Sequence, residues 1–137
     1  MIRNLSIAVL VCLCAAQVQA QAQAKAKVGF PQGTFGTVLS GSVTGHGFLD
    51  YQLDAREGQA LTFALTVTRT DGDGTAYLNV LPPGSTGAAI YVGSMDEDGT
   101  ETVSLPEDGT YTLRVYLMGN DRDAGKTVGF DLDVSIR

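Results

Sequence analysis

Hydrophobic and polar residues alternate along much of the chain with a period of two, which is the pattern of β-strands that bury one face. The segments 60–68, 110–118 and 128–136 show it most clearly, with apolar side chains at every second position. In the last segment the predicted inward positions are Val128, Phe130, Leu132, Val134 and Ile136. The full pattern predicts strands at 35–44, 47–55, 60–68, 75–81, 88–93, 100–105, 110–118 and 128–136. No segment has the periodicity of an amphipathic helix.

Short turns rich in glycine and aspartate separate these segments, among them 71–74, 96–99 and 107–109. Many short strands joined by tight reversals are typical of antiparallel sandwiches and barrels. We therefore predict an all-β fold, an antiparallel β-sandwich of about eight strands. A chain of this length buries one hydrophobic core, so we expect a single domain over 28–137.

The first twenty residues have the organisation of a secretory signal peptide. Arg3 supplies the positive start, an apolar run follows, and small residues lead to a predicted cleavage site after Ala20. The apolar run is too short to span a bilayer, so we expect no membrane insertion. The polar, small-residue segment 21–27 is predicted to be a flexible spacer. The mature protein is expected to be periplasmic or secreted.

Both cysteines, Cys12 and Cys14, lie in the predicted signal peptide. Lipidation of either residue is the alternative, but Val11 and Leu13 stand where a lipoprotein signal requires a small residue. Cleavage would leave a domain without thiols or disulfides.

Charge and residue content exclude several functions. The formal charge of −6 disfavours nucleic-acid binding. Nucleophilic catalysis is disfavoured because the predicted mature chain has one histidine, His46, no cysteine and no G-x-S-x-G turn. One histidine and no cysteine are too few ligands for a zinc site. The acidic turns 71–74 and 96–99 lack the spacing of an EF-hand calcium loop. We expect neither an enzyme nor a bound metal or cofactor.

The segment 114–127 is the candidate binding region. If alternate residues of the preceding strand face the core, Arg114 and Tyr116 face outward and lead into a charged loop, 119–126. Tyrosine and arginine are frequent anchors at protein interfaces. The alternative is that Arg114 simply pairs with an acidic residue on a neighbouring strand.

The chain also resembles the periplasmic inhibitors of g-type (goose-type) lysozyme. The matching residues are Ser104-Leu105-Pro106, Gly109, Tyr111, Leu113-Arg114-Val115, Asn120-Asp121 and Lys126-Thr127, with Ser40-Gly41 and Gly58-Gln59 upstream. Part of this pattern also resembles the pre-peptidase C-terminal β-sandwich modules of secreted enzymes. The residues that favour the inhibitor family are the pairs at 120–121 and 126–127.

The resemblance implies a β-sandwich that blocks the lysozyme cleft with a protruding loop, with a g-type lysozyme as its protein partner. The contact residues it implies, together with the outward face above, are His46, Arg114, Tyr116, Asn120, Asp121, Arg122 and Lys126. The chain departs from the family pattern at Gly119 and Asp123, where the family has arginine, and at His46, where it has tyrosine.

We therefore expect a monomeric inhibitor of g-type lysozyme. Two other functions remain open: a non-catalytic module that binds carbohydrate or peptidoglycan through Tyr116, and a structural protein of the envelope. The absence of tryptophan and the 7% aromatic content count against a sugar-stacking surface.

Overall fold

The computed structural model describes residues 23–96 and 98–137. The predicted signal peptide lies outside this range. The described residues form nine strands, and the all-β prediction is confirmed. They are β1 (Gln23–Lys27), β2 (Gly36–Thr44), β3 (Phe48–Ala55), β4 (Ala60–Thr70), β5 (Tyr77–Leu81), β6 (Tyr91–Val92), β7 (Thr100–Ser104), β8 (Gly109–Tyr116) and β9 (Thr127–Ile136).

The strands form two sheets that enclose one core. The five-stranded sheet has the order β1-β3-β8-β5-β6, and the four-stranded sheet has the order β2-β9-β4-β7. All neighbouring pairs are antiparallel except β1 and β3. Because β2 and β3 belong to different sheets, the turn between them crosses from one layer of the sandwich to the other, as does the connection from β8 to β9.

The segment before the predicted domain corrects one expectation. Residues Gln23–Lys27, predicted to be part of a flexible spacer, form β1 and pair in parallel with β3. Lys27 Nζ lies 2.9 Å from Asp54 Oδ2 on that strand. The reason is tertiary: the extended segment pairs with the outer edge of β3 and satisfies backbone groups there that would otherwise lack partners.

Alternation identified the core correctly. Every inward position predicted in β9 is buried, and so are Tyr111, Leu113 and Val115 in β8. The outer part of β4 behaves differently, since Leu65 and Val67 are only half-buried. This strand continues to Thr70 and contains a bulge between Val67 and Arg69, so its last residues run beyond the core.

Two short helical segments replace predicted strand or loop. Residues Gly93–Met95 form a 3-10 turn, which shortens the strand predicted at 88–93 to two residues. Gly119–Asp123 forms a one-turn helix, α1, inside the loop predicted at 119–126. No helix in the described ranges is long and apolar enough to cross a membrane.

Tyr111 fixes the start of β8 against the core. Its ring is fully buried, its hydroxyl donates to Glu107 O at 2.7 Å, and it accepts from Glu107 N at 3.0 Å. One side chain thus satisfies both backbone groups of Glu107, the first residue of the 107–109 turn.

We expect Tyr111→Phe to lower the free energy of unfolding by about 1–3 kcal/mol, because it leaves both partners of the hydroxyl without their hydrogen bonds. Urea denaturation measures the change. Tyr77→Phe is the control, since the Tyr77 hydroxyl makes no hydrogen bond to any described residue. Equal stability of the wild type and Tyr111→Phe would contradict this role.

Candidate functional site

Three connections meet at one end of the sandwich, because the strands they join all begin or end there. They are the turn 45–47, the loop 71–76 and the segment 117–126, which contains α1. Gly45 N donates to Lys126 O at 2.9 Å, and Thr127 N donates to Asp71 Oδ1 at 2.8 Å. We call this surface the loop end.

The carboxylate of Asp121 holds the loop end together. It is 3% exposed and accepts backbone N–H groups of the neighbouring loop, from Asp73 at 2.7 Å, Gly74 at 2.8 Å and Thr75 at 3.5 Å. These hydrogen bonds favour the charged form and hold the pKa of Asp121 below its ordinary range. Gly72 permits the approach, since a Cβ there would collide with Asp121 Oδ1.

His46 and Arg122 come together at this end although they are far apart in sequence. Gly45 adopts a left-handed φ of +56°, and a Cβ on it would lie 3.3 Å from Gly125 Cα and 3.6 Å from Arg122 O. The turn that carries the exposed His46 therefore packs directly on the α1 segment.

The side chains that α1 presents differ in their freedom. Asn120 is exposed, and Lys126 is half-buried. Arg122 Nε donates to Asp123 Oδ1 at 3.0 Å, with the two side chains 38% and 62% exposed. An exposed pair of neighbouring residues contributes little stability, so Arg122 can exchange this partner for another carboxylate. Asp121, by contrast, has its carboxylate directed into the protein. There it holds α1 against the 71–76 loop and so fixes the positions of the other α1 side chains.

Arg114 lies elsewhere, on the outer face of the five-stranded sheet. Its Nε and Nη2 donate to the two oxygens of Asp50 at 2.8 and 2.9 Å, and its guanidinium carbon is 4.1 Å from the centre of the Phe48 ring. Asp50 is 4% exposed, and its hydrogen bonds raise the pKa of Arg114. The alternative considered from the sequence, pairing with an acidic residue on the neighbouring strand, describes this geometry.

Tyr116 also faces outward but is engaged within the sheet. Its hydroxyl donates to Asn79 Oδ1 at 2.8 Å, and its ring lies 5.8 Å from that of Tyr77, centre to centre. Beside Arg114 is an open polar groove of about 650 Å³. Its lining includes Lys25, Phe48, Gln52, Ser85, Thr110 and Thr112.

The predicted contact residues thus fall into two groups. His46, Asn120, Arg122 and Lys126 share the loop end with the buried Asp121, whereas Arg114 and Tyr116 lie on the sheet face. Sequence reasoning missed Asp50 and Asp71, whose partners are distant in the chain. No cluster of three potential metal-binding side chains occurs within 23–96 and 98–137.

Asp121→Asn is expected to destabilise the protein in a pH-dependent way. The pKa of Asp121 is lower in the folded state, so its stabilisation is complete above about pH 4 and is lost as the pH falls through the folded-state pKa. The difference in free energy of unfolding between wild type and variant should therefore be largest near neutral pH and shrink in acid. Asp133→Asn, on the exposed face of β9, is the control. A difference independent of pH would contradict the assignment.

Solved structures of known proteins match most of the chain. Aeromonas hydrophila PliG, a periplasmic lysozyme inhibitor of g-type lysozyme, matches with a TM-score of 0.76 and 32% identity, over 86% of this chain and 100% of that one. A mutant of Escherichia coli PliG, also a periplasmic inhibitor of g-type lysozyme, matches with a TM-score of 0.65 and 27% identity, over 85% and 100%. These inhibitors are not enzymes, in agreement with the prediction of a non-catalytic protein.

The second resemblance found in the sequence, to the pre-peptidase C-terminal modules, extends to the fold. The pre-peptidase C-terminal domain of a Bacillus anthracis collagenase shares the fold, with a TM-score of 0.56 at 12% identity, over 86% of this chain and 99% of that one. Neither a family model nor a curated protein matches the chain. The sequence identity of 32% to Aeromonas PliG extends over the whole length of that protein. The chain therefore belongs to the family of periplasmic inhibitors of g-type lysozyme.

Proposed function

We propose that this protein inhibits a g-type lysozyme by inserting its loop end into the active-site cleft of the enzyme. The observation that carries the proposal is the convergence of three connections on one end, where His46, Asn120, Arg122 and Lys126 lie around the buried Asp121. Membership of the inhibitor family names the class of partner.

Pre-organisation of the loop end supports an inhibitory role. Insertion of a flexible loop costs conformational entropy on binding, whereas a loop that is already ordered avoids that cost. The hydrogen bonds that the 73–75 backbone donates to the Asp121 carboxylate, and that Gly45 N donates to Lys126 O, order the loop end before any partner is met.

Arg122 is the residue suited to the enzyme's carboxylates. Glycoside hydrolases of this kind act through carboxyl groups in a cleft, and a guanidinium forms strong charge-assisted hydrogen bonds with a carboxylate. Arg122 gives up only the exposed bond to Asp123 when it binds such a group. His46 and Asn120 would then meet polar groups of the sugar subsites.

Gly119 and Asp123, the two positions where the family has arginine, differ in their structural surroundings. Gly119 adopts a left-handed φ of +64°, which favours glycine, so an arginine there would be strained in this backbone. Asp123 has no such constraint and competes for Arg122. The residue that limits inhibition in this chain is therefore Asp123.

We also propose that residues 1–20 are a signal peptide that directs the protein to the periplasm. The PliG relatives are periplasmic inhibitors. That location would place the protein beside the peptidoglycan that a lysozyme attacks, and its task would be bacterial defence.

The polar groove beside Arg114 supports a second candidate function, binding of peptidoglycan glycan. Gln52, Thr110 and Thr112 offer hydrogen-bonding groups along a groove of about 650 Å³. Thr112→Arg would obstruct it from the outer face of β8. If the groove binds glycan, the wild type should co-sediment with insoluble peptidoglycan in the absence of lysozyme, and this variant should not.

Arg122→Ala is expected to weaken inhibition of a g-type lysozyme by about tenfold or more, equivalent to about 1.4 kcal/mol. Asp123→Ala is expected to strengthen it, because Arg122 then has no internal partner to leave. Peptidoglycan lysis followed at increasing inhibitor concentration gives the inhibition constants, and thermal melting should show both variants to be folded.

Arg56→Ala is the matched control, since Arg56 is an exposed arginine in the turn at the opposite end of the sandwich. Its inhibition constant should equal that of the wild type. The proposed function is wrong if the wild type fails to slow a g-type lysozyme at modest molar excess. The proposed contact is wrong if the wild type inhibits and Arg122→Ala inhibits equally well.

A further inference from the structure

The free edge of β2 differs from the other sheet edges of this protein. We propose that it is a self-association surface through which two copies pair their β2 strands antiparallel and join their four-stranded sheets into one. This inference departs from the monomer expected from the sequence, and it does not depend on the proposed function.

Sheet edges of soluble proteins are normally protected by shortness, charge or irregularity. Three edges here follow that rule: β6 has two residues, β1 carries Lys25 and Lys27, and β7 has five residues and carries Glu101. The fourth edge, β2, has nine residues and none of these protections.

The composition around β2 removes the usual barrier to self-association. From Val28 to Leu49 the chain has no aspartate, glutamate, lysine or arginine, although the protein as a whole carries a charge of −6. Two copies can therefore bring these segments together without direct repulsion between like charges. Apolar side chains are also exposed there: Phe35 is 66% and Val38 is 56% exposed.

Backbone geometry defines which groups are free. Phe35 O accepts from Ile136 N and Gly45 N donates to Lys126 O, so the odd-numbered residues between them bond to β9. The even-numbered residues direct their N–H and C=O groups away from the sheet. Gly36 O and Thr44 O have local partners, whereas the outward backbone groups of Val38, Ser40 and Ser42 have none among residues 23–96 and 98–137 and form the free central set.

When two copies pair their β2 strands antiparallel with Ser40 at the centre, these three residues of one copy lie opposite the same three residues of the other. Ser40 then faces Ser40 of the second copy, and Val38 faces Ser42, so each opposed pair exchanges two backbone hydrogen bonds. The interface is small, which places the dissociation constant in the micromolar range or weaker. Because the strands run in opposite directions, the two loop ends lie at opposite ends of the joined strands, about 30 Å apart.

Sedimentation of the purified protein, produced from the full-length chain, tests the proposal between about 10 μM and about 1 mM, the range expected for so small an interface. The weight-average mass of the wild type should rise toward twice the monomer mass. Val38→Lys should remain monomeric throughout, because a charged edge residue opposes pairing, and should keep the melting temperature of the wild type because Val38 is exposed.

Thr62→Lys is the matched control, since it adds the same charge to an exposed position of β4 beside β7, away from the free edge. It should dimerise like the wild type. Amide hydrogen exchange adds a second readout: Val38, Ser40 and Ser42 should become protected as the concentration rises.

A wild type that stays monomeric to about 1 mM would overturn the proposal. So would dimerisation that Val38→Lys leaves unchanged, or concentration-dependent protection confined to β7 or to the loop end. Inhibition of lysozyme is measured separately at low protein concentration, so that this proposal and the proposed function can fail independently.

Discussion

The arrangement of the loop end depends on one buried carboxylate. Asp121 lies in a one-turn helix, too short to be stable alone, and bonds to the backbone of a loop that precedes it by nearly fifty residues. Its negative charge satisfies several N–H groups that would otherwise be without partners at the end of the sandwich. Without that charge, the 71–76 loop and α1 lose their common anchor, and the positions of Arg122 and His46 are no longer fixed.

The two sheets supply the frame on which this anchor acts. Alternating side chains in β8 and β9 fill the core, and these two strands lie inside their respective sheets. The α1 segment connects them, so it is held at both ends by the most buried part of the molecule. The outer face of β8 carries the Arg114–Asp50 pair, which stiffens the same strand from the solvent side. The proposed contact residues are thus carried by elements that have little freedom to move.

Local pattern was sufficient to predict the fold class, the core and most strands, because period-two alternation reports directly on burial. It failed for β1, whose sequence QAKAK has no large apolar side chains to alternate, and for α1, whose single turn is too short to show helical periodicity. The prediction grouped Asp121 with exposed contact residues, since nothing near it in the sequence indicates a partner in the 73–75 backbone. Asp50 was missed for the same reason: its pairing with Arg114 depends on the register of β3 and β8, which only the folded chain defines.

We propose the loop end as the surface that meets a lysozyme. The most direct measurement is the set of backbone amide NMR signals that change when the isotope-labelled protein is titrated with an unlabelled g-type lysozyme. We expect the largest changes to fall on 45–47 and 120–126. Changes concentrated instead on the groove residues Gln52, Thr110 and Thr112, with the loop end unaffected, would contradict it.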